Sequence, residues 1–237
     1  MAKMIGLSRN LKMPWLNKVV EFVEEGFSEA EIKNQLNEYL AFEITSPTNI
    51  RKTRELLMNI WVYENPTSKK IKEKGLQLIK KYPEYRMSIH WCEMLSVFPV
   101  FMDITTIIGK LAVYEDKFTT SQIRQKLYDE YGERAAILHS SAKLLQTIKD
   151  MGAIKQVKTG VYNIQKTKIS KPDVVDYMLF TLMQCSQSSY RTVEQLGDFK
   201  ALFPFDYQVS REQIQMDDDF VYSTFGNEIT VALKVIK

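Results

Sequence analysis

Apolar positions along this chain fall mostly at helical spacing. Trp15, Val19, Phe22 and Val23 share one face of a segment at 13–25 that opens on Pro14 and stops at Gly26, since a first-turn proline loses no hydrogen bond and glycine accepts the left-handed stop. Ser28 with Glu31 three places on predicts a capping box, ahead of a stripe at Ile32, Leu36, Tyr39 and Leu40. A third helix is expected at 47–63, apolar at Ile50, Leu57, Ile60 and Trp61 and basic at Arg51, Lys52 and Arg54. The next helix carries Lys69, Lys70, Lys72, Lys74, Lys80 and Lys81 and ends at Pro83. Its lysines read as a solvated exterior, with a second phosphate-contacting surface as the alternative. Segments 85–97 and 100–114 are the least polar, separated or kinked at Pro99, which removes a helical hydrogen bond. Trp91, Met94, Leu95, Phe98, Phe101, Ile104, Ile107, Ile108 and Leu111 are their expected core residues.

The pattern changes over residues 118–166. Thr119, Thr120 and Ser121 are helix-capping types, followed by Ile123, Leu127, Tyr128 and Tyr131 at helical spacing and a stop at Gly132. A second helix starts near Glu133, with an inward stripe at Ile137, Leu138, Ser141, Ala142, Leu144, Leu145, Ile148 and Met151, and ends at Gly152. Residues 153–157 and 161–165 have strand character around a loop of Lys158, Thr159 and Gly160. Ile154 and Val157 cannot both face one side of a regular strand, which predicts a bulge or an early turn. Helix, tight turn, helix and ribbon in this order describe a winged helix-turn-helix, a fold that most often contacts duplex DNA.

Beyond it, 172–185 is expected to be a helix buried through Val174, Val175, Met178, Leu179, Leu182 and Met183, and 192–196 a short one. Strands are expected at 206–209, 220–225 and 228–236, the last two joined by a turn at Gly226 and Asn227. Asp217, Asp218 and Asp219 read as a solvated turn, because no second acidic cluster or calcium-loop spacing accompanies them.

Charge sharpens this picture. The 237 residues carry a net charge of only +3. Residues 117–171 hold eleven Lys/Arg against four Asp/Glu, net +7, whereas 172–237 hold five against ten, net −5. A local positive field is what a polyanion requires, because each neutralised phosphate releases counterions. On the second helix of the winged segment, Arg134, His139, Ser140, Lys143, Gln146 and Thr147 form the expected outward face, with groups able to meet base edges or phosphates.

Other chemistry is sparse. His90 and His139 stand far apart, and neither is at metal-ligand spacing with a second His or Cys. His90 is expected to be a hydrogen-bonded structural residue. The two cysteines, Cys92 and Cys185, form no Cys-x-x-Cys and read as small buried hydrophobes in a reducing cytoplasm. No phosphate-binding glycine loop and no Gly-x-Ser-x-Gly elbow occurs. The most apolar stretch, 94–108, is interrupted by Pro99 and Asp103, so no membrane span is expected. Nor does the N-terminus have the form of a signal peptide.

Three stretches resemble one known family. They are SPTNIRKTRELLMNIW at 46–61, IHWCEMLSVFPVFMD at 89–103, and the winged segment 118–154 with Tyr131-Gly132 before its second helix and Met151-Gly152-Ala153-Ile154 after it. In these the chain resembles the BrxA-like proteins of bacterial BREX (bacteriophage exclusion) phage-defence systems. The resemblance implies a small, mainly helical, non-enzymatic cytoplasmic protein that binds DNA and acts beside other BREX defence proteins. The acidic C-terminal segment matches it least.

The expected fold is therefore mainly α: a helical N-terminal bundle at 1–83, central helices and a winged helix-turn-helix at 84–171, and a small acidic α+β segment at 172–237 ending in a β-hairpin. The expected partner is double-stranded DNA, bound with weak sequence preference. Arg134, His139, Ser140 and Lys143 would meet the groove or its rim, Lys155 and Lys158 the phosphates, and Arg51, Lys52 and Arg54 would extend the footprint. No cofactor, metal or small-molecule substrate is expected. The alternatives are structured RNA as the ligand, or a protein-interaction scaffold.

Overall fold

Local capping chemistry sets most helix starts as expected. In the structure, a computed structural model, residues 9–64, 68–133, 135–186, 190–216, 218–225 and 228–234 are described, without the side chains of 135–138, 215, 216, 225 and 228. Arg134, Asp217 and the turn at Gly226 and Asn227 lie outside the described residues. The N-terminal helices are α1 (Met13–Glu24), α2 (Glu29–Ala41), α3 (Pro47–Trp61) and α4 (Ser68–Lys81). Ser28 accepts from the Glu31 amide, and the Glu31 carboxylate accepts from the Ser28 amide at 2.8 Å, completing the capping box. A 3-10 turn at Pro83–Tyr85 leads into α5 (Arg86–Val97), and Pro99 opens α6 (Pro99–Leu111). The α5–α6 pair is bent by 120°, so Pro99 separates two helices instead of kinking one. Among the described residues no single helix is long and apolar enough to cross a membrane.

Next come β1 (Lys117–Thr119), α7 (Thr120–Tyr131), α8 (Ala135–Asp150), β2 (Ile154–Lys158), β3 (Val161–Ile164) and the two-residue strand β4 (Thr167–Lys168). The chain continues through α9 (Pro172–Cys185), β5 (Arg191–Thr192), α10 (Val193–Leu196), a 3-10 turn at Lys200–Leu202, β6 (Phe205–Asp206), α11 (Arg211–Met216), β7 (Phe220–Phe225) and β8 (Glu228–Leu233). The strand expected at 206–209 is confined to β6, which pairs in parallel with β4. The helix α11 had no sequence expectation.

The protein is mainly helical, with small sheets. At its centre lie α5 and α9. Every residue from Ser88 to Leu95 and from Val174 to Met183 is buried, as helices that are apolar nearly all round require. Buried residues from Leu11 to Val231 join in one hydrophobic cluster. Trp91 anchors it: its indole donates to the Ala201 carbonyl at 3.0 Å, and its ring meets Phe101, Phe203 and Phe205 edge-on. Gly109 lets α6 lie directly against the turn at Lys200, where an added Cβ would stand 2.0 Å from the Lys200 carbonyl oxygen.

Polar groups inside this core need partners. His90 Nδ1 accepts from the Trp61 indole at 3.0 Å, and its Nε2 lies 2.9 Å from Asn17 Oδ1. The ring is thus the neutral Nε2–H tautomer, tying α5 to α3 and α1, and burial first, then Arg86, lower its pKa to about 3. This is the structural histidine expected. Cys92 is buried and Cys185 partly so, both as free thiols.

Of the α4 lysines, Lys69, Lys80 and Lys81 are exposed as expected, while Lys70, Lys72 and Lys74 are drawn into contacts with the fold. Lys70 and Lys74 both pair with Asp219, above the Phe180 ring, and Lys81 pairs with Asp173. Lys72 is buried and donates to the carbonyls of Asn59, at 3.1 Å, and Tyr63. Asp219 is accordingly no solvated turn residue; through it and Asp173 the C-terminal segment pairs with three lysines of α4.

Candidate nucleic-acid interface

The segment from β1 to β3 is built on two caps and one short sheet. Thr119 accepts from the Gln122 amide at 3.2 Å while Gln122 Oε1 accepts from the Thr119 amide at 2.7 Å, a second capping box that starts α7. Gly132 ends α7 with φ of 77°, a region L side chains avoid. The Tyr131 hydroxyl donates to Asp103, fastening the end of α7 to α6. The three strands pair antiparallel in the order β1-β3-β2. Phe118 of β1 stacks on Tyr162 of β3 with ring centroids 5.6 Å apart. The register of β2 and β3 shifts between Gln156 and Lys158, so of the bulge or early turn expected from Ile154 and Val157 it is the bulge that forms. Val157 is then left 52% exposed.

The expected contact residues separate into distinct groups. His139 and Lys143 are exposed on α8, and Lys155 and Lys158 on β2. Arg51 and Lys52 are exposed in the first turns of α3. Arg134 lies outside the described residues. Ser140 corrects the sequence expectation: it is buried, because it sits one helical turn before the fully buried Leu144 and shares its face. Thr147 is buried as well, and Ala142, expected inside, is exposed. Arg54 points into the fold, donating to Asn37 at 3.0 Å and to Glu55 at 2.5 Å, and so links α3 to α2.

Thr147 faces inward because it has a distant partner. Its Oγ1 accepts from the Leu11 amide at 2.9 Å and donates to the Lys143 carbonyl at 3.0 Å. This bond holds residues 9–12 against α8. Arg9, Asn10, Lys12, Trp15, Glu43, Ile44, Asn49, Thr53 and Lys143 then line a cleft of about 380 Å³. Arg9 Nη2 donates to Asn49 Oδ1 at 2.9 Å, and Glu43 accepts from both Lys12 and the Trp15 indole. Those two bonds, Lys12 first, hold the Glu43 carboxyl below its ordinary range. Nothing local in the sequence marks Arg9 or Lys12 as lining one cleft with Lys143; the Leu11–Thr147 bond that joins the two segments crosses 136 residues.

The lysines of α4 are more engaged with the protein than those of α8 and β2. Among the described residues five α4 lysines meet carboxylates or carbonyls: Lys70, Lys72, Lys74 and Lys81 as described above, and Lys69, which lies 4.0 Å from Glu64. Among the described residues none of Lys143, Lys155 and Lys158 lies in an ion pair. A cation without a protein partner meets a phosphate without first breaking a bond. Among the described residues no group of three or more His, Cys, Asp or Glu side chains is placed to hold a metal. Compared with family models, curated proteins and solved structures, the chain matches none of them.

Proposed function

We propose that residues 117–164 are a winged helix that binds duplex DNA, with α8 as the helix presented to the groove and the β2–β3 ribbon as the wing. Two features support this reading. Two helices are inserted between the first and second strands of a sheet ordered β1-β3-β2, the connectivity of a winged helix-turn-helix. The observation that carries it is the set of cations Lys143, Lys155 and Lys158 on exposed positions of those elements, which lie in no ion pair among the described residues, whereas Lys70 and Lys74 of α4 are held by Asp219. Lysines suit phosphates better than base edges, and burial removes Ser140 from the outward face, so sequence preference is weak. In line with the resemblance of its sequence to BrxA-like proteins, the chain would serve as a non-enzymatic DNA-binding accessory of BREX-type phage defence.

Duplex affinity measured by fluorescence anisotropy over a salt series tests this. Affinity for unrelated duplexes falls steeply with salt, and Lys143→Glu with Lys155→Glu weakens it by about a hundredfold or more. Binding unchanged in that double variant would remove these elements from the interface. Competition with structured RNA distinguishes the two nucleic acids.

A second reading, docking of partner proteins, draws on β7. It is the edge of the sheet ordered β5-β8-β7, with Val221 and Tyr222 exposed and no charge from Phe220 to Phe225. Uncharged edges of this kind accept a further strand.

A further inference from the structure

We infer that the solvent face of the sheet ordered β1-β3-β2 takes the phosphate backbone of duplex DNA, with Lys117, Asn163 and Lys155 in one row across it and Lys158 beside that row. The inference rests on the nucleic-acid reading above and adds Lys117 and Asn163, which that reading does not contain.

The row follows from the register. Asn163 of β3 is paired with Lys117 of β1 on one side and with Lys155 of β2 on the other, and directly paired residues project from the same face of a sheet. Neighbouring strands lie about 4.8 Å apart, so the two lysines are rooted about 10 Å apart with Asn163 midway. Their four-carbon stems carry both ammonium groups over the amide between them. Two residues back along β3, Val161 lies on the same face and is paired with Thr119 and, past the bulge, with Lys158. The other face is the inward one: Phe118 and Ile154 are buried, and Tyr162 and Ile164 pack on the core.

The chemistry of this face selects its ligand. Lys117, Lys155 and Lys158 are exposed, and among the described residues none of them lies in an ion pair. No acidic residue occurs from Met151 to Pro172, and the carboxylates that precede Lys117, Glu115 and Asp116, do not pair with it. Asn163 is partly buried, and its Oδ1 has no hydrogen-bond partner among the described residues. The amide is therefore not held by the protein and presents its Nδ2 to a phosphate oxygen without breaking a bond. Aromatic side chains are missing from the row, because Phe118 and Tyr162 face inward, stacked on each other. Bases find no ring to stack on there, so the face suits a phosphate backbone and not the unstacked bases of a single strand.

Anisotropy of a labelled duplex with the full chain over a salt series tests the surface. Lys117→Gln is expected to lower affinity about three- to tenfold and to flatten the dependence of log K on log salt by about one unit. Asn163→Asp sets a carboxylate between the two lysines and should lower affinity about tenfold or more. Gln156→Glu makes the same change of net charge on the other face of β2, opposite Tyr162, and should stay within about twofold of the parent. Circular dichroism confirms that the variants fold. The parent supplies a readout that needs no variant: the Asn163 side-chain amide resonances shift on adding duplex. Resonances that stay in place in duplex-bound protein, or parent-like affinity and salt slope in folded Lys117→Gln, overturn the inference. Equal losses in Asn163→Asp and Gln156→Glu overturn it too, because net charge and not this face would then set affinity. If Lys117→Gln is silent while Lys143→Glu with Lys155→Glu weakens binding, the winged-helix reading stands without this surface. A parent that binds no duplex removes both.

Discussion

The hydroxyl of Tyr177 on α9 donates to Glu93 Oε1 on α5 at 2.8 Å, joining the two central helices through a carboxyl that is wholly buried. The second oxygen of Glu93 has no hydrogen-bond partner among the described residues, and Gly75 of α4 lies so near that an added Cβ would stand 2.7 Å from Oε1. Burial raises the Glu93 pKa to about 8, against the smaller opposing pulls of Tyr177 and Lys72. At neutral pH the group is a neutral acid, the form that costs least in such a site.

Stability therefore falls as pH rises between the ordinary value of 4.5 and about 8, because over that range the unfolded chain has released a proton that the folded protein still holds. Between pH 6.5 and 8 the loss amounts to about 2 kcal/mol. Urea unfolding across this range checks it. Glu93→Gln is expected to remove the alkaline decline, whatever its effect on absolute stability; an unchanged slope would place the titration on another group.

His90 acts in the opposite direction. Its folded pKa of about 3 lies below the ordinary 6.5, so stability drops as pH falls through that interval, where the unfolded chain takes up a proton the folded one refuses. From 4.5 to 6.5 the slopes of His90 and Glu93 oppose each other, and the pair contributes little net pH dependence. Nitrogen-15 shifts of the ring should report a neutral imidazole down to the acid-unfolding transition. Asn17→Asp places a carboxylate against Nε2 and should raise the pKa by one or more units; a ring that titrates near 6.5 in the parent would contradict the buried placement.

What the sequence discloses here is local. Ser28 with Glu31, the Thr119 cap, Gly132, and Pro172 at the start of α9 are contained within a few residues, and the elements they define appear where expected. Strand alternation requires a bulge or an early turn near Val157, and the register of β2 and β3 decides for the bulge. What stays hidden depends on distant partners. Ser140 and Thr147 look like outward polar residues until Leu144 and the Leu11 amide are seen beside them. The three residues of β1 and the two of β6 are too short to show a period, and exist as strands because β3 and β4 supply their hydrogen bonds. Of the expected contact residues, Lys143, Lys155 and Lys158 are legible because exposure needs no partner, while Arg54 is misread because Asn37 lies on another helix.

Two glycines separate steric from conformational cost. Gly109→Ala drives a methyl to 2.0 Å from a backbone oxygen that a flexible side chain could not relieve. Either α6 or the Lys200–Leu202 turn must shift, and a loss of about 2–4 kcal/mol is expected. Gly132→Ala meets nothing within 4 Å but must hold φ at 77° with ψ at 163°, a region essentially restricted to glycine, which costs about 1–3 kcal/mol. Thermal unfolding of the two variants side by side should therefore rank Gly109→Ala below Gly132→Ala; the reverse order would contradict the close packing of α6 on the turn.

Asp219 ties two lysines of α4 to the acidic C-terminal segment. Its side chain is 11% exposed and faces two ammonium groups, Lys70 and Lys74. Burial alone would raise its pKa, but the bonds to Lys70 and Lys74 outweigh that and hold it below the ordinary 3.8. A depressed carboxyl contributes stability that is present above its ordinary pKa and lost as pH falls through the folded value, so this contribution is complete at neutral pH. In Asp219→Ala the two lysines remain side by side over Phe180 with their shared counter-charge gone, and repulsion adds to the lost attraction. Denaturant unfolding at low salt should show a loss of about 1–2 kcal/mol. Screening weakens both the pair in the parent and the repulsion in the variant, so the gap between them should narrow at 1 M salt. A gap that does not respond to salt would assign the loss to packing around Phe180 instead of to charge.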